Sequence, residues 1–512
     1  MSHNTNGLNL GLLDQIDHFV VIMLENRSFD HMLGFLYTEQ NNVSPLGHAF
    51  EGLTGKESNL NSRGEAVTVF KIPADKHPYF WPGSDPGEGY NNTNSQLFGN
   101  YRTPAKGSKA SNSGFISDFA YTLNWQRQDN EKKPGSWPIV EGTTEESIMG
   151  MYTPELLPVL SGLAKGYAVC DHWFCSVPTE TLPNRAFVQM ATSLGRLSDH
   201  DKQYNAPSIY NLLEQARLSW SIYGYEDEPI LTRQSLQALP EKPEYGSFGN
   251  FAAFKQAAAD GTLSHYSFLA PEWGSKGNSQ HPNYDVAKGE QYLYEIYQAL
   301  KSSPQWQKTL LIITYDEHGG NFDHVPPPEN AKQPQDCPDN MGFNFQRFGV
   351  RVPTVLVSPL IEAGTVLRLP EPDTDLYGNK TAPTAFDHTS ILATVERRFK
   401  LSPLTTRDGA APDIAPVLTL TTPRQDDPLE NVVVPKSEAL PVLEGNSDWG
   451  KADHLQQAEA SLASQLPLEG DYHSHYQDNG QANWQDDENE IKRYSRYRYH
   501  HYYYGQYKEK SS

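Results

Sequence analysis

Cysteine is scarce. Cys170, Cys175 and Cys337 are the only three among 512 residues. So sparse and odd a count excludes a disulfide framework, and no histidine or cysteine stands near them at zinc-site spacing. The Cys170–Cys175 spacing permits a local bridge, but buried free thiols are expected. Positive charge is also in deficit, with Lys and Arg totalling 41 against 63 Asp and Glu, a formal net charge of -22. That balance excludes nucleic acid as the main partner, because phosphate backbones are bound by clustered Lys and Arg. It disfavours tight docking on anionic membranes and leaves transient contact with a zwitterionic lipid surface open. Long apolar runs are missing too. No window approaches the roughly 20 residues of a membrane-spanning helix. The opening MSHNTNGLNLGLLDQ has no basic region followed by an apolar one, so no signal peptide is expected. The expected location is cytoplasmic, with secretion lacking a visible signal peptide as the alternative.

The apolar segments that are present are short. IDHFVVIML at 16–24, TLLIITY at 309–315 and VPTVLVS at 352–358 are nearly continuous and rich in β-branched residues. Such runs read as strands buried on both faces, the mark of a parallel sheet. Further short strands are expected at 167–169 and 219–223. Helical spacing falls at 32–36, 155–165, 184–193, 250–259, 286–302 and 390–399. Strands alternating with helices predict an α/β fold with a doubly wound, mainly parallel sheet. Residues 40–115 and 126–148 are rich in Gly, Asn, Pro, Ser and other polar residues and predict loop-rich insertions. After about residue 405 the composition shifts toward Pro and acidic residues. One helix is expected at 454–465, and the chain ends in a Tyr/Arg/His-biased tract read as a partly irregular or edge-packed extension.

Polar clusters follow two of the buried strands directly: Glu25-Asn26 after the first, Asp316-Glu317 after the later one. Ligands of open α/β sheets bind at the carboxyl ends of parallel strands. The two clusters are therefore expected to share one crevice, and each is followed by Phe-Asp-His, at 29–31 and 322–324. Oxygen ligands from Glu25, Asn26, Asp316 and Glu317 suit a hard divalent cation such as Ca, Mg or Mn, while His281, His318, His324 and His388 leave Zn or Fe open. An acidic protein that handles an anionic group needs such a cation. Either acidic pair alone reads as ordinary strand-end carboxylates; together they point to a site. Thr181-Leu182-Pro183-Asn184-Arg185 opens a helix, where anions bind readily. A cation-bound Thr181 hydroxyl would be a nucleophile, and Asn184 and Arg185 could hold phosphate oxygens. On spacing alone, Thr181 as a helix cap is the better account.

Six motifs stand in order: ENRSFDHMLG (25–34), TLPNR…ATSLG (181–195), HP (281–282), YDEHGGNFDHVPPP (315–328), GVRVPTVLVSPLIEAG (349–364) and FDHTSILATVERRF (386–399). As an ordered set, this resembles the phosphoesterase family of bacterial phospholipases C, plant non-specific phospholipases C and a bacterial acid phosphatase. The resemblance spans about residues 16–400. It implies an alkaline-phosphatase-like core and a divalent metal held by Glu25-Asn26 and Asp316-Glu317, with Thr181 as nucleophile and ligand. It also implies that His281 contacts phosphate or protonates the leaving group, with His324 as a second candidate acid. His318 and His388 are further candidates for holding substrate. The organisation expected is a catalytic domain at 1–405 and a C-terminal extension at 406–512. One departure stands out: Asp85-Pro86-Gly87-Glu88 puts Glu88 where many relatives carry a histidine. Glu88 would ligate metal or repel a dianionic monoester, which points to diesters. Thr179 is the alternative nucleophile.

The function expected is hydrolysis of phosphatidylcholine-like phospholipids to diacylglycerol and a phosphorylated head group through a phosphothreonine. Tyr79, Phe80, Trp81 and Trp125 are candidates for a choline cage. The alternatives are a broad-specificity acid phosphatase acting on small phosphoesters, and a non-catalytic binding protein on the same core. Retention of Glu25, Asn26, Thr181, Arg185, His281, Asp316 and Glu317 argues against the last.

Overall fold

In a computed structural model of the chain, residues 11–369, 384–467 and 487–504 are described; the first ten residues and the tract's end at 505–512 lie outside them. The apolar runs form the middle of an eight-stranded sheet. In chain order its strands are β1 (His18–Leu24), β2 (Ala168–Cys170), β3 (Trp220–Tyr223), β4 (Gly246–Gly249), β5 (Tyr266–Leu269), β6 (Thr309–Tyr315), β7 (Thr354–Val357) and β8 (Thr365–Leu367). Across the sheet they run β8-β2-β7-β6-β1-β5-β3-β4. β1 is parallel to β5 on one side and β6 on the other, whereas β7 is antiparallel to both of its neighbours. Every residue of β1 and β6 is buried, as unbroken apolar sequence requires of a strand covered on both faces.

The helices are α1 (Phe29–Leu33), α2 (Tyr90–Phe98), α3 (Phe115–Lys132), α4 (Pro158–Gly166), α5 (Thr181–Met190), α6 (Ile209–Gln215), α7 (Ile230–Ser235), α8 (Phe251–Asp260), α9 (Val286–Lys301), α10 (Thr389–Phe399), α11 (His454–Ser464) and α12 (Glu488–Tyr504). None among the described residues is long and apolar enough to cross a membrane. Two segments expected to be irregular are partly helical. α2 lies inside 40–115, and α3 runs into 126–148. α2 escapes a propensity reading because YNNTNSQLF is Asn-rich and its inward face is polar: Thr93, Asn94 and Gln96 are buried and hydrogen-bonded. The Tyr-rich tract over 488–504 is a helix, α12, packed on α11. Its buried Tyr499 meets Arg233 of α7 at 2.6 Å. All three cysteines are buried and unpaired.

One carboxylate shows how the helices are fixed to each other. Glu290 of α9 is fully buried and takes the Val159 and Leu160 amides, at 2.7 and 3.0 Å, at the start of α4. No side chain of α4's own N-cap residue fills that role. Glu290→Ala is therefore expected to lower unfolding stability by about 2 kcal/mol, read from urea denaturation.

Candidate active site

β1 and β6 pair in register up to Leu24 and Tyr315, so Glu25 and Asp316 leave the sheet side by side. The turn after β1 is tight: Asn26 takes a left-handed φ of 54°, a region asparagine tolerates better than other residues with a side chain, and Asp316 Oδ1 accepts its amide at 3.0 Å. Gly319 closes against it. A Cβ there would lie 2.1 Å from the Asn26 carbonyl oxygen, so only glycine fits. Asp316 is anchored, with the Glu317 amide also on Oδ1 and Arg185 Nε on Oδ2 at 2.9 Å, which leaves a lone pair of Oδ2 for a further partner. Glu25 and Glu317 are less engaged. Neither oxygen of Glu25, and only one of Glu317, takes a well-formed hydrogen bond, though the Ser279 hydroxyl comes near enough to Glu25 to favour its charged form. Burial first, then the charges of Asp453 and Asp316, push the Glu25 pKa well above the carboxylate range; burial and Asp316 do the same to Glu317.

Thr181 is the first residue of α5, and the cap residue is Glu180. The Thr181 hydroxyl turns away from the helix and donates to Asn26 Oδ1 at 3.2 Å, while Asp199 Oδ1 accepts the Leu182 amide. Asn26 Nδ2 in turn donates to Glu88 Oε2 at 2.5 Å. Glu88 faces His281, whose Nε2 lies 3.9 Å away. His281 is held from behind, because its Nδ1 donates to the Pro282 carbonyl at 2.7 Å and Arg27 grips the carbonyls of Gln280 and His281. The exchangeable proton of His281 is therefore the one on Nε2, toward Glu88. Glu25, Asn26, Thr181, Asp316, Glu317 and His281 form a buried floor; Asp85, Glu88, Glu180 and Asp199 stand half-open around it.

Residues 16–402 match the Phosphoesterase family. The chain belongs to the phosphoesterase family. It is a phosphoric ester hydrolase. Non-specific phospholipase C1 of Arabidopsis thaliana is 35% identical over 465 residues, covering 88% of this chain and 79% of that protein. Phospholipase C A of Mycobacterium tuberculosis is 28% identical over 482 residues, covering 85% and 82%. Among solved structures, a Vibrio parahaemolyticus protein in the alkaline phosphatase superfamily matches 52% of this chain and 65% of its own, with 12% identity and a TM-score of 0.31.

The phosphoesterase site fits a divalent cation by its own chemistry. Unpartnered, buried oxygens of Glu25 and Glu317 lie in a pocket crowded with carboxylates, where the charged forms are costly without a counter-ion. Asn26 Oδ1 and the Thr181 hydroxyl add neutral oxygens beside them.

Other predicted residues are placed differently. Asn184 spends its amide on Val177, Thr179 and Glu180, so it shapes the loop before Thr181 rather than offering donors to phosphate. Arg185 is tied to Asp316 and to the Met23 and Leu24 carbonyls, with Nη1 unpartnered. His388 is locked behind the site, Nε2 on the Asp316 carbonyl at 2.6 Å and Nδ1 facing Trp173. His318 meets Gln96 at 2.6 Å and Glu317 at 3.3 Å, and burial pushes its pKa down to about 3. His324 is not among the groups around Thr181. Although burial opposes it, the Asp30 hydrogen bond raises the His324 pKa to about 10, and Glu51 faces the other nitrogen. The two Phe-Asp-His echoes meet each other: Arg351 bridges Asp30 and Asp323 at 2.8 and 2.9 Å, and Asp30, Asp323 and His324 offer ligand atoms within 4.8 Å of one another. Thr179 donates to the Leu197 carbonyl. The cage candidates are dispersed, with Phe80 against Trp449, Trp81 against Phe70 and Trp125 against Trp137.

Sequence reading missed Asp85, Asp199 and His454. Asp85, Glu88 and His281 offer ligand atoms within 4.8 Å of one another, as do Glu25, His281 and His454. His454 begins α11, beyond the family match, where the sequence marked a helix but no site.

Proposed function

We propose that this phosphoesterase is a phospholipase C that hydrolyses phosphatidylcholine-like phospholipids to diacylglycerol and a phosphorylated head group through a phosphothreonine at Thr181. The observation that carries this reading is the Thr181 hydroxyl, buried and turned from its own helix toward Asn26 among unpartnered carboxylates. The names of the plant and bacterial relatives favour the lipid substrate. A divalent cation (Ca, Zn, Mg or Mn) held by Glu25, Asn26, Asp316, Glu317 and Thr181 supplies charge neutralisation and eases loss of the hydroxyl proton. The Thr181 proton passes to His281 Nε2, which is bare because the ring hydrogen is on Nδ1; Thr181 Oγ1 then forms a bond to phosphorus as the bond to the diacylglycerol oxygen breaks, and His281 gives that oxygen the proton. Water then attacks phosphorus and gives one proton to His281, the Thr181–phosphorus bond breaks, and His281 passes that proton to Thr181 Oγ1, restoring the hydroxyl. Arg185 holds Asp316 in place throughout. Val433, Leu440 and Val442, 82%, 54% and 67% exposed, favour transient contact with a lipid surface.

A broad-specificity phosphomonoesterase would use the same steps. Glu88 favours the diester, since a second negative charge on the substrate meets its carboxylate at short range. Wild-type enzyme is expected to cleave phosphatidylcholine faster than an aryl monophosphate, and Glu88→Gln to shift that ratio about tenfold toward the monoester. Faster monoester cleavage by the wild type, with a ratio unmoved in Glu88→Gln, would replace the phospholipase reading with the monoesterase one.

A further inference from the structure

α11 brings a histidine to the cleft from outside the family match. Asp453 fixes it there: its carboxylate accepts the Gln456 and Gly274 amides, each at 2.7 Å, and Gln456 Oε1 accepts the Asp453 amide at 3.1 Å. α11 itself packs on α7 and α12. The His454 imidazole is thus set in place by backbone and packing together. Its ring centre lies 5.5 Å from that of His281, with the planes inclined by 54°. His454 Nε2 is 3.4 Å from Asp199 Oδ2 and 3.9 Å from Glu88 Oε1, yet it is hidden from solvent and receives no well-formed hydrogen bond. His281 Nε2, 3.9 Å from Glu88 Oε2, is in the same condition. Two unpartnered imidazole nitrogens therefore flank one carboxylate above Thr181. The His454 side chain is 32% exposed and that of His281 2%, which puts His454 at the mouth and His281 on the floor.

We infer that His454 is a substrate-binding residue of the phosphoester site, its Nε2–H donating to a non-bridging phosphoryl oxygen beside the contact made by His281. This rests on the phosphoryl-transfer reading of the cleft. The Nε2 tautomer gives this ring a hydrogen facing the cleft, and a phosphoryl oxygen is an acceptor for it that the protein does not provide. The extension thereby adds a donor to a mouth that is otherwise mostly carboxylate, where an anionic group would be repelled.

The probe is inorganic phosphate, titrated calorimetrically into metal-loaded, full-length protein with bound metal measured by elemental analysis. His454→Ala is expected to weaken phosphate binding about tenfold at unchanged metal content. His454→Phe, which fills the same space without a donor, should read the same loss if alanine disturbs α11. Thr181→Ala, read by turnover rather than by phosphate affinity, tests the nucleophile, so failure of the His454 assignment and failure of the nucleophile are separate results. Wild-type phosphate affinity in both His454 variants overturns the inference. Loss of a metal ion from both overturns it as well, in favour of a ligand role with Glu25 and His281.

Discussion

Replacing Thr181 with alanine is expected to lower kcat by about 10^4-fold or more while leaving the protein folded. Both halves follow from where the hydroxyl points. It donates to Asn26 Oδ1 and not to an amide of its own helix, whose second residue is capped by Asp199 Oδ1. α5 therefore does not depend on it, and the loss is one hydrogen bond and one methyl in a buried place, about 1–2 kcal/mol. The chemistry has no substitute close by. Thr179, the other hydroxyl in the loop, gives its hydrogen to the Leu197 carbonyl at 2.7 Å, and Ser176 gives its own to Asp387 at 2.9 Å. Acid-quenched enzyme incubated with phosphatidylcholine should carry phosphocholine on the peptide containing Thr181, and that label should vanish in Thr181→Ala but persist in Thr179→Ala. Turnover by Thr181→Ala within tenfold of wild type would rule out the covalent route.

The parts of the site legible in the sequence were those set by strand ends. β1 and β6 are unbroken apolar runs, so their ends were visible, and parallel pairing brings Glu25 and Asp316 together whatever the loops do. The ordered motifs raised Thr181 above a helix cap. The histidines were harder to read. His318, His324 and His388 lie in or beside the same motifs, and sequence offers no means of telling an imidazole that faces the cleft from one whose nitrogens are taken by Gln96, Asp30 or a backbone carbonyl. The two Phe-Asp-His segments do meet in the fold. Their two aspartates share Arg351, an ion-pair node that ties α1 to the loop after β6. Residues after 405 carried no strand-end logic at all. The capping box Asp453–Gln456 announces a helix start, but only the fold brings that start over the cleft. α2 was lost for a related reason, since its buried face is made of amides whose partners are Gly87, Asp118 and Arg347.

Stripping divalent cations is expected to cost on the order of 10^3-fold in activity and to make the protein's stability fall as pH rises. The reason is the balance of charge around Thr181. Glu25, Glu88 and Glu317 all have pKa values held well above the ordinary carboxylate range, burial being the largest cause in each, and Asp85 is pushed up to about 8. In the unfolded chain these groups titrate near pH 4. A carboxyl whose folded pKa is raised binds more protons folded than unfolded between the two values. Its stabilising share is whole below about pH 4 and is lost as pH climbs through the folded value, a window that runs past pH 8. A cation takes the place of those protons, so binding should release them and the dependence should flatten. The measurement is the thermal midpoint of stripped and reloaded protein from pH 5 to pH 8, beside activity. The rise on reloading should be larger at pH 8 than at pH 5. A rise independent of pH would place the ion away from Glu25, Glu88 and Glu317, and full activity in protein shown by elemental analysis to be metal-free would remove the cation from the reaction altogether.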